Sequence, residues 1–363
     1  MRLSLFDYNL PPSLIAQEPA SPRDSSRLLV YKETSNEIIH DRYSNLDKYL
    51  TKNDVLVFND SKVFPARLIG KKESGGRAEI LLLKEVSSGQ WEVMIGAKRP
   101  KIGLKLQFKR GLEATVVRVQ NEKTWLVEFN YKGSRFFDIL DRVGEVPLPP
   151  YIDQAKVQGL KSPELQTIAC LSSGQAKVKV KGQYQTVYAK ERGSAAAPTA
   201  GLHFTNRLLE KIRKKGVQIE YVTLHVGLGT FNPVNTDDIE DYRIHSEWVS
   251  VGKKTLKSLQ DAKKQGKRII SVGTTSTRTL EAIFSKKKNW STGYNDYVDI
   301  YIYPGYEFKF IDGMITNFHL PKSSLIMLVS ALIGRKKTIS IYKLAIKLKY
   351  RFFSFGDGML LTK

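Results

Sequence analysis

The segment Ile269-Ile-Ser-Val-Gly-Thr-Thr-Ser-Thr-Arg278, which continues as Thr279-Leu-Glu-Ala-Ile-Phe284, decides the predicted fold. Residues 269–272 are mostly apolar, which is typical of a buried strand, and residues 279–284 have a helical pattern. A glycine and a run of hydroxyl-bearing residues lie between the two elements. Ligands of open α/β sheets gather at such turns, at the carboxyl ends of the strands. The segment therefore predicts an α/β fold and a candidate site in one place.

Three more loops are built in the same way. The loop Ala195-Ala-Ala-Pro-Thr-Ala-Gly-Leu-His-Phe-Thr205 lies before a predicted helix, residues 206–215, which Thr205 can cap. His225-Val-Gly-Leu-Gly229 follows an apolar run, and Met314–Ser324 precedes an apolar helix. Small residues, hydroxyls and imidazoles recur in these loops, a combination typical of a polar ligand site. Four of the five histidines lie in this half of the chain: His203, His225, His245 and His319.

The chain between residues 66 and 150 has a different pattern. Short strand-forming runs alternate with glycines, which is typical of a small barrel or sandwich. These runs cover residues 78–86, 91–95, 104–108, 114–119 and 124–129. After Tyr184, strands alternate with helical patterns, which favours parallel pairing. We predict an α/β fold with a mixed, largely parallel sheet and helices, plus an inserted small β-barrel domain.

The predicted domain boundaries follow from this change of pattern. Residues 1–65 and 151–363 form the α/β domain that carries the candidate catalytic site, and residues 66–150 form the inserted β-barrel domain. Residues 1–65 are interpreted as a polar loop with one short strand, Asp54–Phe58. Residues 153–183 are polar and weakly periodic, and we interpret them as an extra loop or hairpin.

The chain is strongly basic. It has 58 Lys and Arg against 36 Asp and Glu, a formal net charge of +22. Such a surplus favours a polyanionic partner, because each neutralised phosphate releases condensed counterions. A generally basic composition is the alternative explanation. Near the C-terminus, Lys343, Lys347 and Lys349 lie opposite an apolar stripe, so they form either a solvated helix face or an RNA-contacting one.

Several kinds of site are disfavoured by the sequence. Cys170 is the only cysteine, so neither an intrachain disulfide nor a cysteine-based zinc cluster is possible. Gly227-Leu-Gly229 is not a dinucleotide fingerprint, because Asn232 stands where the third glycine belongs. No His-Glu-x-x-His pair occurs, so we predict no metal site. Pro11-Pro12 interrupts any signal-peptide core and residues 325–334 are too short to span a membrane, so we expect a cytoplasmic protein.

The remaining polar residues suit proton transfer and anion binding. The turn Gly273-Thr-Thr-Ser276 offers backbone N–H groups and hydroxyls at a helix N-terminus, where a carboxylate or phosphate is attracted. Arg278 and Arg192 can add bidentate contacts to such an anion. Ordinary helix capping by the threonines is compatible with this interpretation.

These loops together resemble the S-adenosylmethionine:tRNA ribosyltransferase-isomerase family of queuosine biosynthesis, over nearly the whole chain. Two departures from the family pattern are the length of residues 153–183 and Lys62, where arginine is usual. The motifs that carry the resemblance are Leu14-Ile-Ala-Gln17 with Arg23-Asp24, Ser26-Arg-Leu-Leu-Val30, Phe58-Asn-Asp60, Pro65-Ala-Arg67, Pro147-Leu-Pro-Pro-Tyr-Ile152, Tyr184-Gln-Thr-Val-Tyr-Ala189, the 195–205 loop, His225-Val-Gly227 with Gly229-Thr-Phe231, His245-Ser-Glu247, Gly273-Thr-Thr275, Thr316-Asn-Phe-His-Leu-Pro321 and Tyr350-Arg-Phe-Phe-Ser354.

The resemblance implies an enzyme that transfers and isomerises the ribosyl moiety of S-adenosylmethionine onto the 7-aminomethyl-7-deazaguanine at the tRNA wobble position. Its products are epoxyqueuosine-tRNA, adenine and methionine. The implied partners are a tRNA carrying the queuosine precursor base and S-adenosylmethionine, a co-substrate rather than a permanently bound cofactor. We expect a monomer. A non-catalytic RNA-binding protein and an S-adenosylmethionine-dependent RNA methyltransferase remain alternatives.

The implied reaction calls for particular groups. A base must remove a proton that the sulfonium acidifies, an acid must protonate the departing adenine, and cationic or N–H groups must hold the methionine carboxylate. His203 is our first candidate for the base or the acid. The candidate catalytic residues are His203, His225, His245, His319, Asp60 and Glu247. The candidate substrate-binding residues are Arg192, Thr199, Gly201, Gly227, Gly229, Thr274, Thr275, Arg278 and Asn317.

Overall fold

The computed structural model describes residues 1–121, 124–147, 152, 182–227, 234–285 and 292–363. The chain falls into two compact units. The first comprises Met1–Lys62, Gly182–Glu191 and Ala197–Lys363, and the second comprises Val63–Lys181 and Arg192–Ala196. The domain boundary predicted at residue 65 stays a prediction, and the one predicted at residue 150 lies outside the described residues, as do Cys170 and nearly all of the 153–183 segment.

The second unit contains a closed antiparallel barrel, which confirms the predicted β-barrel. Alternate side chains of its strands point inward, so Leu68, Ile80 and Val93 are buried. Helix α1 (Gly133–Val143) buries Phe136 and Leu140. In order around the barrel, the strands are β10 (Trp125–Phe129), β7 (Gln90–Gly96), β6 (Arg77–Ser87), β5 (Arg67–Lys72), β8 (Lys105–Gln107) and β9 (Glu113–Val119). Strands β4 (Ser61–Val63) and β11 (Glu191–Ser194) form a separate ribbon.

The first unit contains a nine-stranded mixed sheet. In order, its strands are β15 (Tyr294–Val298), β13 (Glu247–Val251), β12 (Gln218–His225), β3 (Asp54–Asn59), β14 (Arg268–Val272), β16 (Gly313–Asn317), β17 (Gly358–Thr362), β1 (Arg27–Lys32) and β2 (Glu37–Arg42). Strands β12, β3, β14 and β16 run parallel. Strand β17 is antiparallel to β16 and parallel to β1.

The helices cover the sheet through apolar faces. In α2, Leu208, Leu209 and Ile212 lie at helical spacing and pack on Leu56 and Phe58 of β3 in the core. The α-helices of this unit are α2 (Asn206–Lys214), α3 (Lys253–Lys264), α4 (Thr274–Phe284), α5 (Ser324–Ile333) and α6 (Arg335–Lys347). Short 3-10 helices cover Leu3–Phe6, Pro12–Leu14, Arg23–Ser25, Tyr43–Tyr49, Thr199–His203 and Ile239–Asp241, and in the barrel unit Lys109–Gly111.

The parallel strands end at one edge of the sheet, called here the carboxyl edge. His225 ends β12, Asn59 ends β3, Gly273 follows β14 and Asn317 ends β16. Strand β1 begins at the same edge, because Gly358 pairs with Asn317 on one side and with Leu28 on the other. This topology gathers the predicted loops where α/β sheets hold their ligands.

The predicted fold class, a mixed sheet with helices plus a β-barrel, is confirmed. Parallel pairing is limited to the centre of the sheet and to the β17–β1 pair. The interpretation of residues 1–65 as a polar loop with one strand is wrong, because β1 and β2 also lie there. Strand β2 was missed because it is an edge strand whose residues are exposed or half-buried, so it has no continuous apolar pattern.

Candidate functional site

The imidazole of His203 is buried at the carboxyl edge and both of its nitrogens are engaged. Nδ1 lies 2.7 Å from Ser26 Oγ, and Nε2 lies 3.1 Å from Asn317 Nδ2. Because Ser26 Oγ donates to the carbonyl of Arg23, it accepts from His203, so we assign the proton to Nδ1. The ring stacks on Tyr43, with centroids 4.1 Å apart. His203 is thus held in one orientation and one tautomer.

Burial keeps His203 uncharged. Removal from water, reinforced by Arg351 and Arg23, lowers the pKa of the imidazole to about 3. His319 behaves in the same way, because burial lowers its pKa to about 3 and Nε2 lies 2.9 Å from Thr316 Oγ1. Both rings are neutral at physiological pH.

Asn317 joins two of the predicted loops. Its Nδ2 donates to His203 and to the carbonyl of Phe353, at 3.1 Å each, and its Oδ1 accepts from Thr199 Oγ1 at 3.3 Å. The carboxamide therefore ties the 195–205 loop to the end of β16. Thr199, His203 and Asn317, three sequence candidates, form one network.

A second network surrounds the Glu247 carboxylate at the start of β13. Oε1 accepts the Gly227 N–H at 3.2 Å and lies 3.5 Å from His245 Nε2, while Oε2 accepts from Arg278 Nη1. Burial alone raises the pKa of a carboxyl, but Arg278, His245 and the Gly227 N–H outweigh it and lower the pKa of Glu247 to about 2. The result is a buried ion pair.

Arg278 lies in the first turns of α4 and is almost fully buried. Its Nε donates to the carbonyl of Ile300 at 3.1 Å. Its Nη2 is buried and has no hydrogen-bond partner within the described part of the chain. The guanidinium therefore has an N–H donor that is not hydrogen-bonded to any described residue.

His225 occupies the end of β12, where its Cα pairs with that of Trp248, next to Glu247. Burial lowers the pKa of its imidazole, and Glu191 opposes this shift. Nδ1 is buried without a partner among the residues described. His225 is thus a neutral ring with an unused nitrogen.

Asp60 follows β3 and is buried. Its Oδ1 accepts from Thr223 Oγ1 at 2.7 Å. Burial raises the pKa of this carboxyl, the Thr223 hydrogen bond lowers it, and Glu191 raises it, with a net increase. Such a carboxyl retains its proton to higher pH than an exposed one, which suits a proton donor.

The N-terminus of α4 lies beside these groups. Gly273 has a φ of 90°, in the left-handed region that favours glycine, and no side chain caps the helix. Asn59 links β3 to this turn, because its Nδ2 donates to Thr275 Oγ1 at 3.2 Å. Thr274 and Thr275 are buried in this turn, whose leading N–H groups attract anions.

Other candidates lie elsewhere or serve packing. Gly201 must be glycine because a Cβ there would lie 1.8 Å from Tyr188 Oη. Arg192 belongs to the second unit, where it forms an exposed ion pair with Asp141 at 2.7 Å. Gly229 lies outside the described residues.

The site also contains four residues that were not predicted from the sequence: Ser26, Tyr43, Asn59 and Thr223. Asn59 and Thr223 were detectable in principle as polar residues at the ends of apolar strands. Ser26 and Tyr43 reach His203 through tertiary structure, which no local pattern reports.

Within the described ranges, no group of three or more His, Cys, Asp or Glu side chains is arranged to hold a metal ion. No helix among the same residues is both long and apolar enough to cross a bilayer.

Comparison with known proteins assigns the chain to a family. The model of the family described as "Queuosine biosynthesis protein" matches residues 3–361. The chain belongs to this family. A Caldanaerobacter subterraneus subsp. tengcongensis protein named S-adenosylmethionine:tRNA ribosyltransferase-isomerase is 48% identical over 364 residues, which cover 99% of this chain and 100% of that protein. A protein of the same name from Halothermothrix orenii is 47% identical with the same coverage.

A solved structure agrees with this membership. The S-adenosylmethionine tRNA ribosyltransferase of Thermotoga maritima is 34% identical to this chain, with a TM-score of 0.54. The match covers 99% of this chain and 100% of that one. Membership of the queuosine biosynthesis family confirms the resemblance inferred from the loop motifs.

Proposed function

We propose that this protein is an S-adenosylmethionine:tRNA ribosyltransferase-isomerase. It transfers and isomerises the ribosyl moiety of S-adenosylmethionine onto the 7-aminomethyl-7-deazaguanine at the tRNA wobble position, and it releases adenine and methionine. The observation that carries this proposal is the family match over residues 3–361. The polar networks at the carboxyl edge supply acid, base and anion-binding groups for the reaction.

In this proposal, each titratable group has a role that depends on whether it carries a proton. Asp60, whose pKa is raised chiefly by burial, is the proton donor to the departing adenine. His225, which burial keeps neutral, takes the proton that the sulfonium acidifies on the 5′ carbon, and His245 beside Glu247 is its partner. His203 and His319 hold the surrounding loops in place.

The substrate-binding residues fall into three groups. The α4 N-terminus with Thr274, Thr275 and Arg278 attracts a carboxylate or phosphate. Thr199, Gly201 and Asn317 shape the wall formed by the 195–205 loop. The remaining proposed contacts are Gly227, Gly229 and Arg192.

S-adenosylmethionine is the co-substrate, and the reaction needs no permanently bound cofactor. The other substrate is a tRNA that carries the queuosine precursor base, so we place the reaction in the cytoplasm. We also propose that the protein is a monomer. Sedimentation of the purified protein checks the oligomeric state.

Product analysis tests the proposal. The purified protein is incubated with S-adenosylmethionine and tRNA bearing the precursor base, without added metal or nucleotide. We expect adenine and methionine in equal amounts. S-adenosylhomocysteine would identify a methyltransferase instead, and tRNA binding without any product would identify a non-catalytic RNA-binding protein.

A further inference from the structure

The space next to Gly227 is bordered by polar atoms that have no partner. Around the Glu247 carboxylate, the buried atom Arg278 Nη2 has no hydrogen-bond partner among the described residues, and His245 Nε2 has only the 3.5 Å contact with Glu247. Unpartnered buried polar atoms are rare, because each one costs the free energy of desolvation. Two such nitrogens beside one carboxylate indicate a site that a polar ligand completes.

Among the described residues, none crowds the α-carbon of Gly227. A Cβ built there would meet His245 Cδ2 at 3.9 Å as its nearest described neighbour, which is ordinary contact. Gly201 is the opposite case, since its missing Cβ makes room for Tyr188. The protein's described residues therefore do not require glycine at position 227.

We propose that this space, the Gly227 subsite, binds the amino-acid end of S-adenosylmethionine, with its carboxylate on Arg278 Nη2. The proposal rests on the proposed function, which supplies the ligand. A guanidinium donor to a carboxylate forms a charge-assisted hydrogen bond, stronger than a neutral one. The inference adds to that function the location of one end of the co-substrate.

The charge of the subsite favours an amino acid over a phosphate. Arg278 and Glu247 form an ion pair, so their charges cancel. A neutral pair complements a zwitterion, whose carboxylate faces Arg278 and whose ammonium lies in the negative potential of Glu247. A phosphate dianion would meet no net positive charge from this pair.

A pair of aromatic rings lies within electrostatic range of Arg278. Tyr242 is close enough to Arg278 for the guanidinium to lower its pKa, although burial raises that pKa overall. The ring of Tyr242 packs edge-on against Tyr301, with centroids 5.5 Å apart. Aromatic faces attract cations, and the sulfonium lies only a few bonds from the amino-acid end of the ligand.

Binding measurements on the full chain test the subsite. We expect Gly227→Ala to weaken S-adenosylmethionine about tenfold or more, since its methyl group enters ligand space, with no change in melting temperature. Gly252→Ala is the matched control, because a Cβ there meets nothing within 4 Å and the residue is exposed. Its affinity should equal that of the wild type.

A second measurement uses S-adenosylmethionine and its decarboxylated analogue. The wild type should prefer the carboxylated ligand about 10- to 100-fold, the usual scale of a charge-assisted hydrogen bond. Arg278→Gln combined with Glu247→Gln, which leaves no buried charge unpaired, should abolish this preference. Equal affinities of wild type and Gly227→Ala, or a preference that survives in the double variant, overturn the subsite alone. If the wild type neither binds nor consumes S-adenosylmethionine, the proposed function fails as well.

Discussion

Nε2 of His203 accepts a hydrogen bond from Nδ2 of Asn317 over 3.1 Å, and this bond joins the loop before α2 to the end of β16. The same carboxamide accepts from Thr199. His203 is buried, neutral and held on its other side by Ser26. From these contacts we propose that it is a positioning residue that acts through Asn317.

Replacing His203 therefore tests positioning. We expect His203→Ala to lower kcat about 100-fold, because a displacement of roughly 1 Å in a catalytic wall can cost that much. Asn317→Ala should cause a similar loss, and the double variant should be no worse than either single one, since both break one unit. The pH–rate profile of His203→Ala should keep its shape, because His203 titrates near pH 3. Loss of an ionisation from that profile would show that His203 itself transfers the proton.

The two buried histidines predict how stability depends on pH. In the unfolded chain His203 and His319 take up protons near pH 6.5, but in the folded chain they do so only near pH 3. Their folded pKa values are lowered, so stability is lost as the pH falls from 6.5 towards 3. Each ring contributes a slope of up to about 1.4 kcal/mol per pH unit.

Denaturant unfolding at pH 7, 6 and 5 measures this loss. His319→Gln keeps a polar side chain beside Thr316 but does not titrate. The free energy of unfolding of this variant should fall less steeply with decreasing pH than that of the wild type. Parallel slopes for the two proteins would contradict the prediction.

If Asp60 is the general acid, the pH–rate profile should have an alkaline limb, in which the rate falls. A general acid must be protonated, so the rate should fall as the pH rises through the pKa of Asp60 in the enzyme. Asp60→Asn should remove this limb and slow adenine release about 100-fold or more. The side chain of Thr223 offers a sharper check.

Thr223→Val keeps the shape of the side chain but removes the hydrogen bond that stabilises the ionised carboxylate of Asp60. The alkaline limb of the pH–rate profile of Thr223→Val should therefore lie at higher pH than that of the wild type. Suppose that Asp60→Asn loses the alkaline limb but Thr223→Val keeps it at the pH of the wild type. The hydrogen bond from Thr223 would then not lower the pKa of Asp60. An unchanged profile in Asp60→Asn assigns the proton donor elsewhere.

The sequence predicted those parts of the fold and site that depend on local pattern. The apolar run before His225 and the cap at Thr205 both appear in the structure, since Thr205 Oγ1 accepts from Leu208 N. The Gly273 turn was also recognisable, because a positive φ after a strand favours glycine. These features depend on residues that are neighbours in sequence.

The partners of the histidines could not be predicted in this way. Ser26 and His203 are 177 residues apart in sequence, and Asn317 and His203 are 114 apart. The motif around His203 made it the first candidate for the base or the acid, whereas the unused nitrogens belong to His225 and His245, which differ from it in burial and contacts. Tertiary contacts decide which imidazole keeps a free nitrogen.

The net charge of +22 predicts that tRNA binding depends on salt. Lys343 and Lys347 in α6 and Lys349 just beyond it are exposed, as an RNA-contacting face requires. If tRNA binds there, log affinity should fall linearly with log salt, and replacing the three lysines by glutamine should reduce the slope by about one for each lost phosphate contact. The affinity for S-adenosylmethionine should change far less with salt.

A matched set of lysines gives the control. Lys253, Lys254 and Lys257 in α3 are exposed as well, and they have the same chemistry on a different helix. Their replacement by glutamine should leave the slope closer to that of the wild type, although it removes the same charge. Equal reductions in the two triple variants would show that tRNA responds to net charge and not to α6. A tRNA affinity that does not depend on salt would mean that the enzyme recognises the wobble base without help from its basic surface.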